Sequence, residues 1–80
     1  MTAVLSFAER IVIDPDVCNG RPTIRGTRVA VESVLEYLGA GDSAADIVQA
    51  LPGLELADVQ ACLQFAGRLM QQRYDLAKVA

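Results

Sequence analysis

The sequence predicts a mainly α domain in which a short β-hairpin precedes a trihelical, helix-turn-helix-like core. Apolar residues make up 52% of the 80 residues and are spread along the whole chain, as in a folded protein. From Val31 onward their spacing changes from alternation to intervals of three and four residues, the period of a helix. A chain of this length forms one domain. It divides into an N-terminal arm (1–9), a β-hairpin (10–30), a three-helix core (31–66) and a C-terminal helical extension (67–80).

The hairpin segment carries its own local signals. Ile11-Val12-Ile13 predicts the first strand and the run from Thr23 to Val29 predicts the second, which follows Asn19-Gly20, two residues that tolerate positive φ. Gly26 inside the second strand indicates a bulge or a close backbone approach. Because an isolated two-stranded ribbon is marginal in water, the hairpin must pack on helices or pair with another chain. Its apolar residues are the predicted dimer interface: Val12, Ile24 and Val29.

Three amphipathic helices are predicted after the hairpin. Asp42 or Ser43 caps the second helix, with Asp46 in its first turn, and the third helix begins near Glu55 or Leu56. Each helix has one apolar face. The residues assigned to these faces are Val31, Val34, Leu35 and Leu38 in the first, Ile47, Val48 and Leu51 in the second, and Val59, Leu63, Ala66, Leu69 and Met70 in the third.

The residue inventory argues against an enzyme, a metal site and a bound cofactor. Histidine is absent, which removes the usual general base for a serine or cysteine nucleophile, and Cys18 and Cys62 are too few for a zinc site. No disulfide framework is indicated, so both thiols are expected to be reduced. No apolar run reaches the length of a membrane span and the N-terminus lacks the pattern of a signal peptide, so we expect a cytoplasmic location.

The formal net charge of −3 hides a strong segregation of charge along the chain. Residues 10–28 carry four arginines against two aspartates, and residues 68–80 carry three cations against one aspartate. Residues 29–67 carry only acidic charges, at Glu32, Glu36, Asp42, Asp46, Glu55 and Asp58. An acidic surface of this kind is complementary to the basic groove of a nuclease. The alternative is that these charges only keep the protein soluble.

This segregation decides where nucleic acid could be bound. A helix that enters the major groove needs cations near it to neutralise phosphates, whereas the third helix begins with Glu55 and Asp58. Any DNA contact is therefore expected from the arginine-bearing hairpin, or from the basic tail, of a dimer that presents both copies. The candidate DNA-binding residues are Arg21, Arg25 and Arg28. The alternative is that these arginines are solvated or pair with the acidic helices.

The stretch from Asp14 to Val29, DPDVCNGRPTIRGTRV, resembles the signature of the domain-of-unknown-function 433 family. Three later stretches resemble the rest of the family pattern: LGAGDS at 38–43, LPGL at 51–54 and DVQACL at 58–63. The resemblance extends from Arg10 to Ala66, which is most of the chain.

The resemblance implies a VapB-type antitoxin whose partner is a PIN-like ribonuclease toxin. It also implies a trihelical, helix-turn-helix-like fold with a β-hairpin, which is commonly dimeric. The sequence departs from the family pattern at Ala30, where a proline often precedes the first helix, and at Glu55, where a serine or threonine often caps the third. A carboxylate at Glu55 can still interact with the helix N-terminus, but it weakens any DNA role for that helix.

The C-terminal extension is the predicted toxin-binding segment, because it carries apolar side chains beyond the core. Its candidate residues are Leu69, Met70, Arg73, Tyr74 and Leu76. The alternative for this segment is packing on the partner of a homodimer. Two other functions stay open: a stand-alone DNA-binding transcriptional regulator, and a homodimeric interaction module whose hairpins pair edge to edge.

Overall fold

A small antiparallel sheet lies at the N-terminal end of the chain, and three helices follow it. The computed structural model of the chain describes the backbone of residues 5–73 and the side chains of residues 6–71. The elements are strands β1 (Leu5–Phe7), β2 (Ile11–Ile13) and β3 (Thr23–Ile24), followed by helices α1 (Val31–Gly39), α2 (Ala44–Ala50) and α3 (Leu56–Arg73). A 3-10 turn at Cys18–Gly20 lies between β2 and β3, with Asn19 at φ 59° and Gly20 at φ 80°, which confirms the positive φ expected at this pair.

The sheet has three strands rather than the predicted two. Its order is β1-β2-β3, with Ile11 opposite Phe7 on one side and Ile24 on the other. Strand β1 lies inside the segment predicted as an N-terminal arm. Three residues are too short for alternation to identify, and the strand is stabilised by pairing with β2 and by the edge-to-face contact of Phe7 with Phe65, whose ring centroids are 5.5 Å apart.

The second hairpin strand is much shorter than predicted. It ends at Ile24, and Gly26 lies at φ +79° in a tight turn in which the Thr27 N–H donates to the Ile24 carbonyl at 3.0 Å. The expectation of a bulge inside a long strand is therefore wrong. After the turn the chain runs back beside β3, where Ile24 N–H donates to the Val29 carbonyl and Thr23 bridges to Ala30. Both sides of β3 are thus paired within the chain.

The first two helices follow the sequence prediction. Val31 and Val34 of α1 are buried, with Leu35 and Leu38 packed against the core. At the start of α2 the Ser43 hydroxyl accepts from the Asp46 N–H at 3.1 Å and the Asp46 carboxylate accepts from the Ser43 N–H, a reciprocal capping box.

Helix α3 is rotated from the predicted phase. It begins at Leu56, one of the two expected starts, and buries Val59 and Cys62, but Leu63 is 52% exposed. Successive residues differ by about 100° around a helix, so packing of Cys62 against the other elements directs Leu63 toward solvent. The assignment of Leu63 to the buried face is therefore wrong.

Nearly every element contributes to one core. Its buried residues are Ile11 and Ile24 from the sheet, Val31, Val34 and Ile47 from α1 and α2, Leu54 from the following loop, and Val59, Ala61 and Cys62 from α3. Within residues 5–73 no helix is both long and apolar enough to cross a membrane.

One ion pair connects the sheet to the start of α3. Arg10, directly before β2, donates from Nη1 to Asp58 Oδ1 at 2.9 Å and to Glu55 Oε1 at 3.1 Å. Asp58 is only 5% exposed, and its second oxygen accepts from the Glu55 N–H at 2.9 Å, which satisfies a free donor at the helix start. Both carboxylates raise the pKa of Arg10, Asp58 more than Glu55.

The two cysteines have different surroundings, and both are free thiols, as the sequence indicated. Burial raises the pKa of the Cys62 thiol to about 11, and the negative charge of Asp58 acts in the same direction. Cys18 is partly exposed, and its sulfur lies 3.6 Å from the Arg28 carbonyl oxygen.

At neutral pH we expect Cys18 to react with a thiol reagent at least about 100-fold faster than Cys62, because only the thiolate reacts and Cys62 is buried and protonated. Mass spectrometry of the labelled chain over time measures the two rates, and labelling in denaturant supplies the control in which both react. Equal rates for the two thiols in the folded protein would contradict the buried position of Cys62.

Candidate interaction surfaces

The hairpin forms an open groove that carries two arginines. Its lining, which we call the hairpin groove, consists of Val12, Asp14, Val17, Thr23, Arg25, Gly26, Thr27 and Arg28, and its volume is about 450 Å³. Because side chains alternate along a strand, Ile11 and Ile24 point into the core while Val12 and Thr23 line the groove. The groove therefore opens on the side of the sheet away from the helices.

The turn that presents the arginines is rigidly hydrogen-bonded. The Thr27 hydroxyl donates to the Ile24 carbonyl at 2.9 Å and accepts from the Val29 N–H at 2.9 Å. The Arg25 N–H donates to the Arg10 carbonyl at 2.8 Å, which joins the start of the turn to β2. Gly26 adopts the positive φ that the turn requires. The positions of Arg25 and Arg28 on the two sides of Gly26 are thus fixed by the backbone.

The three predicted DNA-binding arginines do not form one cluster. Arg21 lies on the exposed surface and donates from Nη1 to Glu32 Oε1 of α1 at 3.2 Å, as the alternative interpretation expected. Arg25 and Arg28 are exposed and make no ion pair with any carboxylate within residues 6–71. The hairpin groove therefore has two cations available to a ligand, opposed by Asp14 at its edge.

The three residues predicted to form the dimer interface lie in different environments. Ile24 is 2% exposed in the core of a single chain, so its side chain has no surface left for a second chain. Val29 is half-buried and packs against the same core, and Val12 lines the hairpin groove. Edge-to-edge pairing of hairpins through β3 would have to displace the pairing that β3 already makes with residues 29–30.

Leu69 and Met70, predicted together as toxin-binding residues, occupy different faces of α3. Leu69 is 43% exposed and borders an apolar depression of about 210 Å³ whose other walls include Val31, Leu35 and Phe65. Met70 is 63% exposed and points elsewhere. Arg73 is the last residue of α3 in the described range, and the predicted contacts at Tyr74 and Leu76 lie outside the described residues.

Within the described residues, no group of three or more cysteine and carboxylate side chains is arranged to hold a metal ion.

The model of the family described as "Protein of unknown function (DUF433)" matches residues 11–66. The chain is a member of the DUF433 family. The match covers β2, the hairpin groove and the packed part of the three helices, and it ends before Leu69.

Two similar proteins agree with this assignment. The uncharacterized protein y4eO of Sinorhizobium fredii is 35% identical over 63 residues, which are 78% of this chain and 28% of that protein. The chain thus spans under a third of that relative. A DUF433 member protein from Anabaena variabilis, solved by crystallography, superposes with a TM-score of 0.74 at 28% identity, covering 89% of this chain and 71% of that one.

Two features of the site were absent from the sequence interpretation. The pairing of Arg10 with Asp58 joins residues 48 positions apart, and no local pattern indicates it. The exposed leucines Leu56 and Leu63 recur, with Met70, at intervals of seven residues. That interval is visible in the sequence, but the prediction placed Leu63 on the buried face of α3 and Met70 in the toxin-binding segment, so the row on the outward face was missed.

Proposed function

We propose that this DUF433 protein is a non-catalytic cytoplasmic binding protein, the antitoxin of a type II toxin–antitoxin pair that binds and neutralises a PIN-like ribonuclease toxin. The observation that carries the proposal is the continuation of α3 past the core with its apolar side chain Leu69 still 43% exposed. Exposed apolar surface of this kind usually marks an interface.

The length of α3 supports this assignment. It has 18 residues, against 9 in α1 and 7 in α2. At 1.5 Å per residue it spans about 27 Å, twice the length of α1. Among the side chains described up to residue 71, the last fully buried one in α3 is Cys62, so the following turns extend along the border of the core. A helix projecting an apolar side into a groove of its partner is a common mode of recognition.

The apolar depression beside Leu69 supplies the second element of the proposed toxin contact. Its walls come mainly from α1 and α3, with Pro22 beside them, and Leu69 of the extension borders it. Glu32, which pairs with Arg21, lies at its edge, and Glu36 is exposed one turn further along α1. A ribonuclease binds its substrate with cations, so a partner with acidic surface and an apolar anchor is complementary to it.

We expect Leu69→Asp to weaken the toxin complex by at least about 100-fold, because it places an unpaired charge at a side chain that the proposed complex buries. The control is Gln71→Asp, which adds the same charge at an exposed position two residues away. Co-purification with a PIN-like protein encoded beside this gene measures the complex, and inhibition of its ribonuclease activity measures neutralisation.

Deleting residues 68–80 is expected to abolish the same complex. A truncated chain that is folded and still inhibits the ribonuclease would show that the extension is not the toxin-binding segment. Equal loss for Leu69→Asp and Gln71→Asp would remove Leu69 as the anchor.

A second function, DNA binding for autoregulation, is favoured by the two arginines of the hairpin groove. Arg25 and Arg28 are held on a rigid turn and carry charge that no carboxylate within residues 6–71 neutralises. A guanidinium in such a position suits a phosphate of the DNA backbone. The helix-turn-helix-like pair α2 and α3 takes no major-groove role in this proposal, because α3 begins with Glu55 and Asp58.

We expect the double variant Arg25→Ala, Arg28→Ala to weaken operator binding. The slope of log affinity against log salt concentration is expected to fall by about 2 for each bound chain, because each chain loses two phosphate contacts. Arg21→Ala is the matched control, because Arg21 is already paired with Glu32. Fluorescence anisotropy at several salt concentrations, with and without the toxin, makes the measurement. An unchanged slope in the double variant would exclude the hairpin groove as the DNA contact.

A further inference from the structure

The outward face of α3 presents large apolar side chains in a regular row. Leu56 is 54% exposed, Leu63 52% and Met70 63%, and each is seven residues from the next. Seven residues are close to two turns, so the three side chains lie along one side of the helix with a drift of only about 20° per interval. We call these three residues the α3 stripe. The buried residues Asp58, Ala61 and Cys62 lie on the other side of the helix, and Val59 is buried at the edge of the stripe.

The two exposed residues that lie between members of the α3 stripe, Gln60 and Gly67, carry no charge. The exposed Glu55 directly before the helix is paired with Arg10. The exposed residues of α1 include Glu32 and Glu36, and those of α2 include Asp46. A chain of net charge −3 meets a second copy of itself with the least repulsion on such an uncharged face. Within residues 6–71, this face offers no cation to a nucleic acid.

Gly67 is a second, independent observation on this face. It lies between Leu63 and Met70 on α3, is exposed, and a Cβ placed there would meet nothing within 4 Å. Glycine disfavours a helix relative to alanine, and the packing of the single chain gives no reason for its presence here. A glycine at a helix crossing lets two backbones approach closely. The space beside Gly67 therefore fits a neighbouring helix.

We propose that the α3 stripe is the interface of a two-fold homodimer in which two α3 helices pack antiparallel. The stripe is symmetric about Leu63, so a two-fold axis there places Leu63 against its own copy and Leu56 against Met70 of the other chain. Closed two-fold contacts are the commonest form of self-association, and each requires a self-complementary patch of this kind. This interface is separate from the toxin and DNA contacts proposed above.

The charges of α3 select the antiparallel arrangement over the parallel one. Glu55 and Asp58 lie at the start of the helix, and together with Arg10 they leave a net negative end. In a parallel pair the two negative ends would be adjacent, whereas an antiparallel pair separates them by most of the length of the helix. Opposed helix dipoles act in the same direction.

Sedimentation equilibrium of the full chain, from micromolar concentration upward, tests the interface. Leu63→Glu is expected to weaken self-association by at least about 100-fold, because two carboxylates then meet at the axis. Gln64→Glu adds the same charge one residue away, off the stripe, and is expected to leave the dimer intact. A wild-type chain that stays monomeric, or a dimer insensitive to Leu63→Glu, would overturn the proposal.

A second variant separates loss of the interface from loss of the fold. Gly67→Gln adds no charge, introduces a better helix former and enters open space in the single chain, so the monomer is expected to stay folded by circular dichroism. The side chain blocks the approach of a second helix, and self-association is expected to fall by about 10-fold or more. Unchanged self-association of a folded Gly67→Gln chain would show that the helices do not meet at this point.

The orientation is tested by disulfide trapping in a Cys18→Ser background, which removes the partly exposed native thiol. A mixture of Leu56→Cys and Met70→Cys chains is expected to give a crosslinked heterodimer, while Leu56→Cys alone gives none. Crosslinking of Leu56→Cys with itself would indicate a parallel pair and overturn the antiparallel arrangement.

Discussion

The contact of Arg10 with Asp58 fixes the sheet against the helices, and the remaining surfaces depend on where it holds them. Asp58 is 5% exposed, so its charge is stable there only because Arg10 and the Glu55 N–H bind it. The backbone of Arg10 also accepts the N–H of Arg25. One residue thus joins the start of α3, strand β2 and the arginine-bearing turn.

This arrangement divides the molecule into surfaces of different chemistry. Arg10 pairs with Asp58 and Arg21 pairs with Glu32. Arg25 and Arg28 are therefore the cations that line the hairpin groove and could contact an anionic ligand. The acidic side chains of α1 and α2 cover another part of the surface. The α3 stripe and the exposed residues between its members are uncharged. The contacts that we propose with operator DNA, with the toxin and with a second copy therefore involve different residues.

Much of the fold is predictable from sequence where the signals are local. Ser43 with Asp46 identifies the start of α2, and Asn19-Gly20 identifies a positive-φ turn, because each depends on residues at most three positions apart. Strand β1 and the Arg10 contact depend on partners far along the chain. The rotation of α3 about its axis cannot be read from the sequence, because the apolar spacing allows either Cys62 or Leu63 to be buried. Packing against the other elements buries Cys62. The arginine site was predicted as a set of three and is reduced to two by the pairing of Arg21.

A double-mutant cycle with Arg10→Met and Asp58→Asn, followed by denaturant unfolding, tests the central contact most directly. Asparagine keeps the shape of Asp58 and an oxygen for the Glu55 N–H, so the cycle isolates the charged pair. A coupling energy of at least about 1 kcal/mol is expected, well above that of the exposed Arg21–Glu32 pair. Single-variant effects that add to within about 0.3 kcal/mol would contradict the role given to this contact.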